Sequence, residues 1–118
     1  MSSQETPVEA TVLPIIVAVS MGHLMNDLMQ SLIPAIYPIL KDNLTLTFAQ
    51  IGLITLVFQG VASVLQPLVG LYTDRRPLPY ALAFGMAATG LGLILLAHAA
   101  SFEVVLAAVA LIGLGSAI

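Results

Sequence analysis

Cysteine and tryptophan are absent from this 118-residue chain, and charge is scarce: three Lys or Arg and six Asp or Glu make up 8% of it. Without cysteine there is no disulfide, no thiolate metal site and no cysteine nucleophile, and the redox compartment stays open. The net charge of −3 offers no basic surface to nucleic-acid phosphates. A soluble domain carries about a quarter charged residues. This chain is 59% hydrophobic, with a mean hydropathy of +1.07, and has too few polar side chains to cover a water-facing surface. Soluble enzymes, nucleic-acid binders and disordered tails are excluded. A Ser–His–acid set, an HExxH helix and a phosphate loop are all missing, which leaves an enzyme the weakest reading. Two widely separated histidines, His23 and His98, make no metal-ligand set, and no cofactor is expected.

What the chain does have is apolar length. No charge falls from Asn43 to Thr73, 31 residues, or from Pro77 to Phe102, 26 residues. Each stretch exceeds the roughly 20 apolar residues that cross a bilayer as one helix. A helical period without two-residue alternation favours transmembrane helices over a β-barrel. The expected fold is an all-α integral membrane protein with four spans, at about 12–40, 47–72, 80–99 and 103–118. Pro14 suits a first helical turn, and Pro34 and Pro38 should kink or break the far end of span 1. Lys41, Asp42 and Asn43 predict a short polar loop. Span 2 opens on a capping box, with Thr47 as N-cap, Gln50 at N3 and Leu46 and Ile51 placed as a hydrophobic staple. Thr73 to Pro79 reads as a turn, and Pro77 and Pro79 fix a rigid entry into span 3. Ser101 reads as the N-cap of span 4, with Glu103 near its positive end.

The ends of the chain carry their own expectations. Met1–Ala10 holds Glu5 and Glu9 but no basic residue, unlike a secretory leader. Val104–Ile118 stops without flanking charge, aromatic anchor or helix stop signal, and reads as a helix cut before completion. The chain is therefore expected to be the first part of a longer protein, its C-terminal remainder missing. Arg75 and Arg76 outweigh Lys41, which puts the N-terminus and the 2–3 loop on the cytoplasmic side.

Span 1 carries a polar stripe. His23, Asn26, Asp27 and Gln30 fall at i, i+3, i+4 and i+7, within roughly 100° on a helical wheel, and Ser20, Ser31 and Pro34 extend that side. Ionisable groups in a membrane are costly and face a bundle interior or a watery cavity. Asp27 is the only charge in span 1, and His23, one turn earlier, is placed to share a hydrogen bond or proton with it. The stripe reads as a proton-coupling or substrate-binding face; the alternative is inert hydrogen bonding between helices. Span 2 repeats Gly52, Thr55, Gln59, Ser63, Gln66 and Gly70 on one face. Helix packing explains its Gly, Thr and Ser better, and Gln59 and Gln66 stay candidates for the cavity. Ala81/Gly85 and Ala88/Gly92 are small-xxx-small pairs that let backbones approach. His98 sits at an expected interface, as a snorkelling polar residue rather than a ligand.

The run Gly70-Leu71-Tyr72-Thr73-Asp74-Arg75-Arg76 resembles the loop 2–3 signature of the major facilitator superfamily. Physically, Gly70 suits close helix approach, Asp74 could cap a neighbouring helix, and Arg75 anchors at the cytoplasmic interface. Pro77, Leu78 and Pro79 stand where many members have Gly and two basic residues. His23-Leu24-Met25-Asn26-Asp27 with Gln30-Ser31-Leu32-Ile33-Pro34-Ala35 resembles the first helix of the fosmidomycin resistance subfamily, as does Asp74-Arg75-Arg76-Pro77-Leu78-Pro79-Tyr80 its turn. Gly113-Leu114-Gly115-Ser116-Ala117 is similar to the glycine-rich end of the fourth helix, but Val109 stands where drug antiporters place an Arg. The resemblance implies a twelve-span inner-membrane transporter that exports small drugs or metabolites by proton antiport, these helices being an incomplete N-terminal half. Its partners would be the lipid bilayer, a small-molecule substrate and protons. Two other readings stay open. One is a complete four-helix oligomeric exporter with Asp27 as the shared carboxylate, on the pattern of the small multidrug resistance proteins. The other is a non-transporting membrane subunit that uses the stripe for helix pairing.

Overall fold

The computed structural model describes residues 7–118, with side chains from Val12 onward. The cytoplasmic placement expected for Ser2–Ala10 falls in part on residues outside the described ones. Five helices follow in order: α1 Pro7–Ala35, α2 Tyr37–Leu44, α3 Phe48–Arg75, α4 Ala81–Ala97 and α5 Phe102–Ala117.

The expected first span is two helices. Pro34 and Pro38 have no N–H to give, so the ladder fails around Ile36, whose own N–H donates to Leu32 O at 3.1 Å and Ile33 O at 3.3 Å. The chain re-enters helix at Tyr37 with Pro38 in the first turn, where a missing N–H costs nothing. The helix then runs through Lys41, Asp42 and Asn43, which were expected to form a loop. It ends only at Thr45, in the left-handed region at φ 53°, whose N–H returns to Lys41 O. Pro14 likewise lies inside α1 rather than at its start, since the helix begins a full two turns earlier at Pro7.

Later boundaries follow the local signals closely. At α3 the Thr47 hydroxyl accepts from Gln50 N at 3.2 Å, and Thr47 N donates to Gln50 Oε1 at 2.8 Å, so the capping box is complete. Leu46 is buried, and Ile51 packs against the same apolar cluster, as a staple requires. At α5 the Ser101 hydroxyl accepts from Val104 N at 3.4 Å. Helix α3 carries Pro67 within it, yet outlasts its expectation by one turn and takes in Thr73, Asp74 and Arg75, because no further proline stands before Pro77.

Helix α5 is central, packed between α3 and α4, while α1 lies against α4 and touches α5. Its buried face, Val105, Ala108, Val109 and Ile112, meets Ile54 and Phe58 of α3 and Leu96 of α4 in one core. Val109, at the position of the antiporter arginine, is wholly buried there. The α4–α5 crossing is backbone against backbone. A Cβ on Gly115 would lie 2.5 Å from Gly85 O of α4; at the α3–α5 contact, one on Gly113 would likewise lie 2.7 Å from Phe58 O. Only glycine admits these approaches. Gly85 and Gly92, each from an expected small-xxx-small pair, are buried in this seam.

Among the described residues, helices α1 and α3 are the two long enough and apolar enough to cross a membrane, and little of either span is buried, 11% and 17%. Leu13, Ile16, Val17, Leu24 and Leu28 of α1, and Leu56, Val64 and Leu68 of α3, stay exposed. A long, predominantly apolar helix whose apolar side chains are not covered by protein belongs in lipid. This is a membrane protein.

Candidate functional site

Helices α1 and α3 flank the α4–α5 pair without packing closely on each other, and a cleft of about 330 Å³ opens between them. Asp27, Gln30, Ser31 and Pro34 line it from α1, Tyr37 from α2, and Thr55, Phe58 and Gln59 from α3. The helical periods dictate this set: 27, 30, 31 and 34 share one face of α1, and 55, 58 and 59 one face of α3. The break at Ile36 swings Tyr37 across the upper end of the cleft. There the Tyr37 hydroxyl and Thr55 Oγ1 are hydrogen-bonded at 2.8 Å. Thr55 Oγ1 is also placed to donate to Ile51 O at 3.3 Å, and Ser31 Oγ donates to Leu28 O at 2.7 Å.

The polar stripe of span 1 divides in space. Asp27 and Gln30 line the cleft, as Gln59 does from α3. Asn26 turns the other way and is buried against α4, where the Thr89 hydroxyl donates to its Oδ1 at 3.3 Å and lies 3.0 Å from Gly85 O. Among the described residues, Asn26–Thr89 and Tyr37–Thr55 are the only side-chain hydrogen bonds that join two helices. His23 is exposed one turn before Asp27 and does not line the cleft. Gln66 is also exposed, two turns beyond Gln59 and so about 10 Å away along α3. Tyr37, Thr55 and Phe58 were not expected in the site. Thr55 read as packing because a lone hydroxyl on a glycine-bearing face usually is. Tyr37 could have been found from its place between two prolines, where a broken helix redirects a side chain.

The loop 2–3 residues lie at the far end of α3. Asp74, Arg75 and Arg76 are exposed, Arg75 closes the last turn, and Arg76 N donates to Tyr72 O at 3.0 Å. A Cβ at Gly70 or Gly52 would meet nothing within 4 Å, so the close packing expected at both is not formed among the described residues. His98 caps α4, its Nδ1 2.9 Å from Ile94 O. No group of His, Asp or Glu able to hold a metal occurs among the described residues.

A chain of apolar helices around a cleft with one carboxylate has the make-up of a solute-translocating membrane protein, and comparison with known proteins identifies the class. Residues 19–118 match the model of the Major Facilitator Superfamily, and the chain belongs to that family of transporters. It is 55% identical over 101 residues to the fosmidomycin resistance protein of Escherichia coli (strain K12), covering 86% of this chain and 25% of that protein. It is 50% identical over 108 residues to the uncharacterized MFS-type transporter YfnC of Bacillus subtilis (strain 168), covering 92% of this chain and 26% of that protein. The chain thus spans about a quarter of the length of the curated relatives it matches. No solved structure matches it significantly.

Proposed function

We propose that this chain is the N-terminal part of a proton-coupled exporter of small drugs or metabolites, fosmidomycin-like compounds among them, in the inner membrane. In this reading α1, α3, α4 and α5 cross the bilayer, with the N-terminus and Arg75–Arg76 cytoplasmic and Lys41–Leu46 outside. Helices α4 and α5 have 17 and 16 residues. At 1.5 Å per residue they reach about 25 Å, a few ångströms short of the hydrocarbon core, which local thinning accommodates. Asp27 carries the proton, and Gln30 and Gln59 hold substrate across the cleft. His23 tunes the acid from one turn away, Asn26 holds α1 on α4, and Gln66 extends the polar face of α3. Asp74, Arg75 and Arg76 anchor the cytoplasmic end.

The observation that carries this reading is Asp27 lining the α1–α3 cleft in a chain of a transporter family. A charge at mid-helix costs roughly 2.5–3.5 kcal/mol on insertion scales, and a carboxylate that cycles between protonated and substrate-facing states accounts for its presence. The test is a chimaera in which residues 19–118 replace the matching segment of the Escherichia coli relative. Efflux driven by a pH gradient is measured in inverted vesicles. The unaltered chimaera is expected to transport fosmidomycin. Asp27→Asn, similar in size but unable to titrate, is expected to abolish flux at unchanged expression, and His23→Ala to do less. Wild-type flux from Asp27→Asn removes the proton-carrier role, and a well-expressed but inert chimaera removes the exporter reading. The 118-residue chain alone is expected to show no substrate-dependent proton flux; robust flux from it supports the oligomeric exporter instead.

A further inference from the structure

We propose that Tyr37 is a side-chain gate between the α1–α3 cleft and a second hollow at the Lys41 end, held shut by its hydrogen bond to Thr55. The inference rests on the reading above, since it takes the cleft to be part of the solute path. The cleft holds about 330 Å³, and the hollow beyond it, lined by Pro38, Lys41, Asp42, Phe48 and Ile51, about 340 Å³. Among the described residues Tyr37 alone borders both. The walls on either side of it continue at helical spacing. Pro34 of the cleft is followed four residues on by Pro38 of the second hollow, and Thr55 lies one turn from Ile51 on the same face of α3. One ring laid from α2 towards α3 therefore divides a single groove.

The bonding assigns the motion to the side chain. Thr55 Oγ1 is placed to donate to Ile51 O at 3.3 Å, which makes Tyr37 the donor of the 2.8 Å bond between them. Breaking that bond leaves Thr55 with its own proton still placed, and a single neutral hydrogen bond contributes little net. The backbone on either side is fixed, because Ile33 and Leu40 are buried in the core, 0% and 8% exposed. A swing of α2 as a body would draw Leu40 out of that core. Rotation of the half-buried Tyr37 to another staggered χ1 disturbs only the ring's own contacts with it. With the ring turned aside, the two hollows join in one passage from Asp27 to Lys41 and Asp42.

The absence of cysteine makes the test direct, since Ser31→Cys puts a single thiol in the cleft. The 118-residue chain carrying it is inserted in Escherichia coli inner membrane. A charged, impermeant methanethiosulfonate is added from the side on which Asn43→Cys reacts, and the rate at position 31 is followed. That rate is expected to be slow while Tyr37 and Thr55 are both present. Tyr37→Phe keeps the ring and removes the bond, and is expected to raise it several-fold. Thr55→Val is expected to match that rise, and the two together to add nothing further, because they break the same bond. Tyr37→Ala removes the ring and is expected to react fastest. Leu53→Cys, on the opposite side of α3, is expected to stay unreactive in every background. An unchanged rate in Tyr37→Phe or Tyr37→Ala, additive effects of Tyr37→Phe and Thr55→Val, or an equal rise at Leu53→Cys each overturns the gate. An inert chimaera together with a Tyr37-dependent rate removes the exporter reading and leaves the gate standing. An active chimaera with a Tyr37-independent rate does the opposite.

Discussion

Replacing Gly115 by alanine tests the seam that holds the helices together. The added methyl would lie 2.5 Å from Gly85 O and 2.7 Å from Thr89 N, and would press on the Thr89 hydroxyl. Ordinary contact begins at 3.4 Å, so α4 and α5 must part by nearly 1 Å. Backbone atoms cannot rotate aside as the end of a side chain can. A gap of 0.5–1 Å forfeits about a quarter to a half of each dispersion contact along the seam. Between membrane helices no hydrophobic term makes up the loss, because lipid is as apolar as leucine. Overpacking costs about 1–3 kcal/mol, and two backbone clashes place Gly115→Ala at the upper end, about 3 kcal/mol. At about 1.4 kcal/mol per tenfold, that shifts the folding equilibrium by roughly two orders of magnitude. Gly90, on the facing helix α4, is the control: a Cβ there meets nothing within 4 Å. Alanine is the better helix former by about 1 kcal/mol at most, so Gly90→Ala is expected to be neutral or stabilising. Both variants are measured by SDS-driven unfolding in bicelles followed by circular dichroism. A Gly115→Ala variant within about 0.5 kcal/mol of the parent, the range of an ordinary surface change, would refute the packing argument.

Other outcomes follow from single contacts. A double-mutant cycle of Asn26→Ala and Thr89→Val is expected to show a coupling of about 0.6 kcal/mol, the usual worth of an interhelical hydrogen bond in a membrane; zero coupling would mean that the 3.3 Å contact does not tie α1 to α4. Thr47→Ala removes half of the capping box and is expected to lower stability by about 1 kcal/mol in the same unfolding assay. For topology, single cysteines at Ser3 and Asn43 are expected to react with an impermeant maleimide from opposite sides of the membrane. Labelling from one side overturns the orientation.

Local chemistry made much of the fold legible in the residues. The Thr47–Gln50 capping box and the Ser101 cap start their helices where the side chains alone say they must, because a cap bonds within one turn and needs no tertiary partner. The family resemblance was legible for a similar reason, since short motifs survive in one dimension. The two prolines announced a break in the first span but not its outcome. Whether the chain after Ile36 becomes loop or helix depends on burying Leu40 and Leu46 in the core, and that decided for helix against the polar run Lys41-Asp42-Asn43.

Helical spacing put His23, Asn26, Asp27 and Gln30 on one side of α1, but a side about 100° wide can serve two neighbours. The position of α4 decided that Asn26 belongs to packing, while the empty space beside α3 left Asp27 and Gln30 to the cleft. Gly52 and Gly70 looked like packing glycines, yet the close approaches occur at Gly85, Gly113 and Gly115. The residue type permits such an approach on any helix, but only the partner that arrives determines where it is used. The sequence by itself thus determined the membrane class, the caps and the family. The tertiary structure alone decided which polar residues face one another, because that depends on which helices lie between them.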